Sequence, residues 1–256
     1  MKYVLSVLLT LVIFSASANP PKQEFYELRI YQLSTEDQEE RLNAYLKDAL
    51  VPALHRAGIT SVGVFKAKGN DTASIRKVVL LVPYKSLGDL DAIDTKLEKD
   101  KVYINAGADY INAAHNNPAY TRFSKTILKA FSGHPVLSKP ALTGPRDERV
   151  YELRSYEGAT EKLHRKKVDM FVKGDEIAIF NRLQFNAVFY GEVLAGGSMP
   201  NLMYMTSFDN KESRDAHWKA FVDDPEWKKL SGDKQYENTV SHIDSTFLEA
   251  TDFSDL

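Results

Sequence analysis

The tetrapeptide Tyr-Glu-Leu-Arg occurs twice, as Tyr26-Glu27-Leu28-Arg29 and as Tyr151-Glu152-Leu153-Arg154, and each copy is followed after one intervening residue by a tyrosine, Tyr31 or Tyr156. The copies stand 125 positions apart in a chain of 256 residues. Further landmarks recur in the same order at nearly the same distance. Val64-Phe65 matches Val188-Phe189, Tyr84 matches Phe208, and Thr126-Ile127-Leu128-Lys129-Ala130 matches Thr246-Phe247-Leu248-Glu249-Ala250. A period of this length is far too long for a solenoid repeat and is the size of one compact domain. The chain therefore reads as a duplicated module, and what both halves keep is needed by the fold or by a site that both help to build.

Residues 1–18 read as a secretory signal peptide rather than as part of the fold. Lys2 gives a positive start, Val4 to Phe14 is apolar, Ala16-Ser17-Ala18 is a small-residue cleavage signal, and Asn19-Pro20-Pro21 opens a polar, helix-breaking mature end. The expectation is cleavage after Ala18 and a periplasmic or secreted protein. The chain has no Cys, which excludes disulfides, a thiol nucleophile and a lipid anchor on cysteine. An exported chain without disulfides must be held by its core. The formal charge is −2 with both signs interspersed, and no basic block alternates with aromatics, so nucleic acid is excluded as a partner. No segment after residue 18 is apolar for long enough to span a membrane.

Each half follows one plan. In the first, Glu24 to Leu33 alternates as a strand. Ser34 or Thr35 caps an acidic helix start, and Leu42, Tyr45, Leu46, Ala49, Leu50 and Ala53 form one helical face, with a kink expected at Pro52 and an end at Gly58. Strands follow at 61–67 and 74–83, then a helix over 86–103, and a closing strand at 122–131. In the second, strands are expected at 149–156, 186–194, 201–208 and 240–251. A helix covers 161–183, weakened at Gly174, and another covers 211–222. Residues 132–147, rich in Gly and Pro, read as a linker or wrapping arm outside the core. Strand–helix–strand–strand–helix–strand implies an α+β protein of two ferredoxin-like domains, residues 23–131 and 148–256. Packed sheet to sheet as a pseudo-dimer, they would cover each other and enclose a barrel. A homodimer formed by sheet pairing between chains is the fallback.

The repeated Tyr-Glu-Leu-Arg-x-Tyr strand resembles the NIPSNAP family. So do Leu202-Met203-Tyr204-Met205-Thr206-Ser207-Phe208-Asp209, His217-Trp218-Lys219-Ala220-Phe221 and Asp224-Pro225-Glu226-Trp227, the second half matching more closely than the first. The resemblance implies a dimeric α/β-barrel fold. That fold class includes small antibiotic-biosynthesis monooxygenases, EthD-like proteins and the haem-binding chlorite dismutase and dye-decolorising peroxidase groups. The family brings no defined catalytic motif, so it implies a fold far more than an activity.

If Leu28 and Leu153 face the helices, Glu27, Arg29, Tyr31, Glu152, Arg154 and Tyr156 face the barrel interior. There the Glu–Arg pairs would either pin strands together or offer Arg29 and Arg154 to an anionic or carbonyl ligand, with Tyr31 and Tyr156 as walls. The six His form no compact ligand pair, so no metal site is expected. A single axial haem ligand leaves no spacing signature, and His217 and His242, in the more family-like half, are the candidates for it. No other cofactor is evident, because the phosphate-loop, dinucleotide, serine-hydrolase and zinc-protease motifs are all missing. The expected function is binding of a small organic molecule in the barrel cavity. The alternatives are a small cofactor-independent monooxygenase or haem enzyme, and a structural protein whose barrel is filled.

Overall fold

The computed structural model describes residues 22–256; residues 1–21, and with them the expected signal peptide and its cleavage point, lie outside the described residues. The first half runs β1 (Phe25–Leu33), α1 (Glu36–Tyr45), a π-turn at Leu46–Leu50, α2 (Val51–Arg56), β2 (Gly63–Ala67), β3 (Arg76–Tyr84), α3 (Leu87–Lys99), α4 (Lys101–Ala106), α5 (Ala108–Ile111) and β4 (Arg122–Ala130). The second runs β5 (Val150–Glu157), α6 (Glu161–Val172), α7 (Glu176–Arg182), β6 (Phe189–Ala195), β7 (Asn201–Phe208), α8 (Lys211–Asp223), α9 (Pro225–Ser231) and β8 (His242–Ala250).

The helix starts follow from capping side chains. Thr35, Ser86, Thr160 and Asn210 each accept a backbone N–H from the first turn of α1, α3, α6 and α8. Pro52, which lacks an N–H, follows the π-turn that joins α1 to α2, so the expected kink is a widened turn. The single helix expected over 161–183 is two. A Cβ on Gly174 would lie 2.7 Å from the Met170 carbonyl oxygen, and Asp175 adopts a left-handed φ of 64°, so α6 stops there and α7 restarts.

The strands form one closed antiparallel barrel in the order β1-β3-β2-β8-β5-β7-β6-β4. Each half contributes four adjacent strands in the same internal order, β4-β1-β3-β2 and β8-β5-β7-β6. The halves do not simply lie face to face as two separate sheets. They join edge to edge through β2–β8, where Phe65 pairs with Ala250, and through β4–β6, where Ala130 pairs with Gly191. Closure leaves no free strand edge.

Side chains alternate between two cores. Tyr26, Leu28, Phe65, Val79, Leu81, Leu128, Tyr151, Leu153, Phe189, Met205 and Leu248 fill the barrel. On the outside, Tyr31, Leu33, Val78, Leu80 and Val82 pack under α1 and α2, and Tyr156, Tyr190, Leu202, Tyr204 and Phe208 pack with Phe171, Phe180 and Phe221 of α6, α7 and α8. The expected phase of β1 and β5 is thus reversed: Leu28 and Leu153 point into the barrel, while Glu27, Arg29, Tyr31, Glu152, Arg154 and Tyr156 point out, beneath the helices. The two sets differ in polarity, but polarity alone does not say whether the barrel or the helices supply partners for the charges, so the pattern does not fix the phase. A barrel interior already packed with aromatics has no partners for four buried charges, whereas the helices supply them.

The segment expected as a linker also enters the core. Leu137 and Leu142 pack against the barrel residues, as does Leu256. Arg146 fastens this end, donating from Nη2 to the carbonyl oxygens of Thr251 (2.7 Å) and Ser254 (2.9 Å). The barrel is therefore closed where β1 and β5 begin. The β4–β6 seam is tight, because a Cβ on Gly191 would lie 3.0 Å from Leu128 Cβ. Gly191→Val is expected to destabilise the fold by about 1–3 kcal/mol through overpacking. The check is denaturant unfolding, in which the midpoint should fall while the m-value is unchanged.

Candidate functional site

The duplicated Glu–Arg pairs occupy equivalent places on the outer face of β1 and β5. Glu27 is fully buried and accepts a hydrogen bond from Arg29 Nε. Lys125 Nζ on β4 stands 3.4 Å from Glu27 Oε1, and the Tyr84 hydroxyl donates to Oε2 at 3.4 Å. Glu152, also fully buried, has more donors. Arg154 Nη1 (2.6 Å), Arg214 Nη2 (2.7 Å) and Ser245 Oγ (2.8 Å) reach Oε1, while Arg214 Nε (2.8 Å) and Trp218 Nε1 (2.9 Å) reach Oε2. Both guanidiniums, Arg154 and Arg214, lie over the Trp218 ring. From Arg154 a polar chain continues inward: its Nε donates to Tyr156 Oη at 3.2 Å, and Tyr156 and Tyr204 share a hydrogen bond of 2.9 Å. The buried Lys167–Glu176 pair, 2.8 Å apart, lies in the same layer.

This geometry fastens β1 to β3 and β4, and β5 to β8 and α8. Arg29 and Arg154 are committed to buried carboxylates under helices, so the expected ligand role for them in a barrel cavity loses its geometric basis. Tyr31 packs among Tyr120 and Phe123, and its hydroxyl is buried.

The open space lies elsewhere. At the end of the barrel where β1 and β5 finish, opposite the closed end, a cavity of about 340 Å³ is lined by residues from both halves. Ile30, Leu153 and Met203 form its apolar floor. Ser124, Thr126, Ser155, Asn201 and Thr246 offer hydroxyl and amide groups, and Lys77, Glu157 and Asp244 carry charge. All continue the inward-facing alternation of their strands. Asn201 Nδ2 donates to Ser155 Oγ at 2.8 Å, which orients two of the wall groups. None of these residues was singled out from sequence. The signal was present in the alternation Tyr151, Leu153, Ser155, Glu157 and Leu248, Thr246, Asp244, His242, where apolar residues give way to polar ones, but it is readable only in the correct strand phase.

The two haem-ligand candidates fall apart in space. His217 on α8 places Nδ1 2.6 Å from the Ser213 carbonyl oxygen, with its ring edge-on to Phe185 and tilted on Phe208. His242 is exposed at the start of β8, 3.2 Å from Asp244 Oδ1. Neither histidine lines the mouth cavity. The carboxylates of Glu157 and Asp244 and the imidazole of His242 bring donor atoms within 4.8 Å of one another. Cross-strand register makes this constellation, which no compact His spacing in the sequence could reveal.

An eight-stranded antiparallel barrel jacketed by helices, built from two four-stranded units of like order, is of the dimeric α/β-barrel type. Solved structures share it along almost the whole chain. One is a "putative monooxygenase" from Fusobacterium nucleatum subsp. nucleatum, with TM-score 0.57 and 9% identity over 90% of this chain and 93% of that one. Another is a "putative monooxygenase" from Lactobacillus acidophilus, with TM-score 0.53 and 11% identity over 90% and 94%. A third is an anthrone oxidase-like protein, with TM-score 0.52 and 10% identity over 91% and 94%. At these identities the likeness is one of fold. Residues 151–255 match the NIPSNAP family model. No curated protein matches it significantly.

The two ion-pair networks differ in a way that stability measurements can read. Removing Arg29 leaves Glu27 with only the distant Lys125 ammonium and one weak phenol donor, so Arg29→Ala is expected to cost about 3–5 kcal/mol, as for a broken buried pair. Glu152 keeps Arg214, Ser245 and Trp218 when Arg154 is removed, so Arg154→Ala is expected to cost less, about 1–3 kcal/mol. Urea unfolding of the two variants checks the order. Burial disfavours the Glu152 charge, but donors from Arg214 and Arg154 outweigh it and hold its carboxyl below the usual range. A depressed folded value means that the ionised Glu152 contributes its stability in full above about pH 4.5, and that this is lost as pH falls below it. Replacement by Gln should flatten that part of the acid-unfolding profile.

Proposed function

We propose that this is an exported binding protein whose ligand, a small polar organic molecule carrying an anionic group, sits in the open mouth of the barrel between the two halves. The observation that carries the reading is the cavity itself: one roomy, partly enclosed space with an apolar floor and convergent hydroxyl and amide walls, in a barrel otherwise filled. The ligand's apolar part rests on Ile30, Leu153 and Met203, its polar groups meet Ser124, Thr126, Ser155, Asn201 and Thr246, and its anionic group meets Lys77. Among the described residues Lys77 has no carboxylate partner within 4.0 Å. The filled middle of the barrel supports a second, structural role for the lumen, but the mouth is not needed for that role. Two structural neighbours are described as monooxygenases, which makes oxygen consumption the first reaction to assay with any ligand found.

The same proposal takes the chain as two tandem ferredoxin-like NIPSNAP units, residues 23–131 and 148–256. Support comes from the identical strand order of the halves and from the repeated Tyr-Glu-Leu-Arg. Export is supported by Lys2, the apolar stretch to Phe14 and Ala16-Ser17-Ala18. Native protein is expected to begin at or near Asn19, and N-terminal sequencing that starts at Met1 would refute export by cleavage.

A thermal-shift panel of small carboxylates and uncharged polar compounds tests the site. Carboxylates that raise the midpoint should lose the effect in Thr246→Phe, which fills the mouth, and in Lys77→Glu, which reverses its positive charge. Shifts that survive both changes would place binding elsewhere and sink the reading.

A further inference from the structure

The rim of the mouth carries a set of donors that the binding site described above does not use. Glu157 is the last residue of β5 and pairs across the strands with His242, the first residue of β8. Asp244 stands two residues along β8 and so lies on the same face. Directly opposed residues on paired antiparallel strands bring their Cβ atoms to within about 4.5–5.5 Å. Backbone register therefore converges an imidazole and two carboxylates at one point, with donor atoms within 4.8 Å of one another. A cation with bonds of about 2.0–2.2 Å holds its donors no more than about 4.4 Å apart, so small side-chain rotations complete the set.

Among the described residues the buried carboxylates are each paired with a basic side chain. Glu27, Glu39, Glu152, Glu176 and Asp224 each have a Lys or Arg within 4.0 Å. Among the described residues Glu157 and Asp244 have none; the partner of Asp244 is His242 alone. Two carboxylates converge without a fixed cation, beside an imidazole nitrogen and at the edge of a cavity lined by both halves. The other half shows that this is not required by the barrel. By register the counterparts of Glu157 and His242 are the paired Gln32 and Arg122, and Ser124 stands in the place of Asp244.

We propose that Glu157, His242 and Asp244 bind one divalent transition-metal cation of the zinc or manganese kind at the rim of the mouth. Mixed imidazole and carboxylate donors suit these ions. Three protein ligands leave positions open toward the cavity, where the ligand's anionic group can reach the ion as well as Lys77. That last step rests on the mouth being the binding site; metal binding by the three residues does not.

The experiment titrates metal-free mature protein calorimetrically with zinc chloride and, separately, with manganese chloride. One ion per chain is expected for at least one metal, with affinity reduced at least tenfold in His242→Ala and in Asp244→Asn. Both residues are exposed, and circular dichroism checks that the variants fold. Thr246→Phe leaves all three donors in place and should keep the ion while losing carboxylate binding. Absence of binding for both metals, or binding that both rim variants leave unchanged, overturns the metal site. Retained metal with no carboxylate effect in any variant would instead overturn the mouth as the organic binding site and leave the metal site standing.

Discussion

Each four-stranded half of this protein is apolar on both faces, and its own helices can cover only one. That constraint governs the rest of the architecture. Tyr31, Leu33, Val78, Leu80 and Val82 are covered by α1 and α2, yet Tyr26, Leu28, Val79, Leu81 and Leu128 on the reverse are equally large and equally buried. At about 1.5–3 kcal/mol for each large side chain kept from water, an uncovered inner face would cost an amount comparable to a domain's usual net stability of about 5–15 kcal/mol. The second half supplies the matching face, and edge pairing at β2–β8 and β4–β6 satisfies the backbone groups that an isolated half would expose. Both halves lie in one chain, and the barrel closes within it.

A barrel packed in this way excludes charge from its middle, which explains where the conserved-looking motif went. The Glu of each Tyr-Glu-Leu-Arg is turned outward into the sheet–helix layer, and each half solves the buried carboxylate differently. In the first, Arg29, Lys125 and Tyr84 approach Glu27. In the second, Ser245 and Phe208 replace Lys125 and Tyr84, and α8 sends down Arg214 and Trp218 instead. Agreement between the repeats at Glu–Arg thus marks a shared folding requirement, and their disagreement around it marks two independent ways of satisfying a buried anion.

Much of the fold was legible in the sequence because period and punctuation are local. The strand at β1, the cap at Ser34 or Thr35, the weak point at Gly174 and the two-fold plan all follow from short-range rules. Strand phase did not, since it depends on what lies across each face. Tyr26, Leu28 and Ile30 against Glu27, Arg29 and Tyr31 reads as apolar against polar, which suggests a wet or functional inner face. The structure reverses this because Arg29 and Tyr31 are amphipathic and pack well under helices, their polar ends paired. The mouth was missed for the same reason: Ser155, Glu157, Thr246 and Asp244 are informative only once they are known to line one space. His242 beside Glu157 depends on register between strands separated by most of a domain, which no spacing rule encodes.

The two halves also leave an asymmetric mouth, which suits the proposed binding of an ordinary, non-symmetric molecule. Register places Ile30 opposite in role to Ser155, Gln32 to Glu157, Arg122 to His242, Ser124 to Asp244 and Lys77 to Asn201. The first half thus lends the mouth basic and apolar groups, and the second lends it acidic and amide groups. Two identical halves would have presented each group twice across a pseudo-twofold axis, with like charges facing each other at a cost in water-poor surroundings. The closed end of the barrel, held by Leu137, Leu142, Leu256 and Arg146, bears the packing load. Positions at the open end, half-solvated and relieved of that load, are free to differ. The division of labour along the barrel axis follows from this: packing residues where the halves must agree, polar residues where they can part.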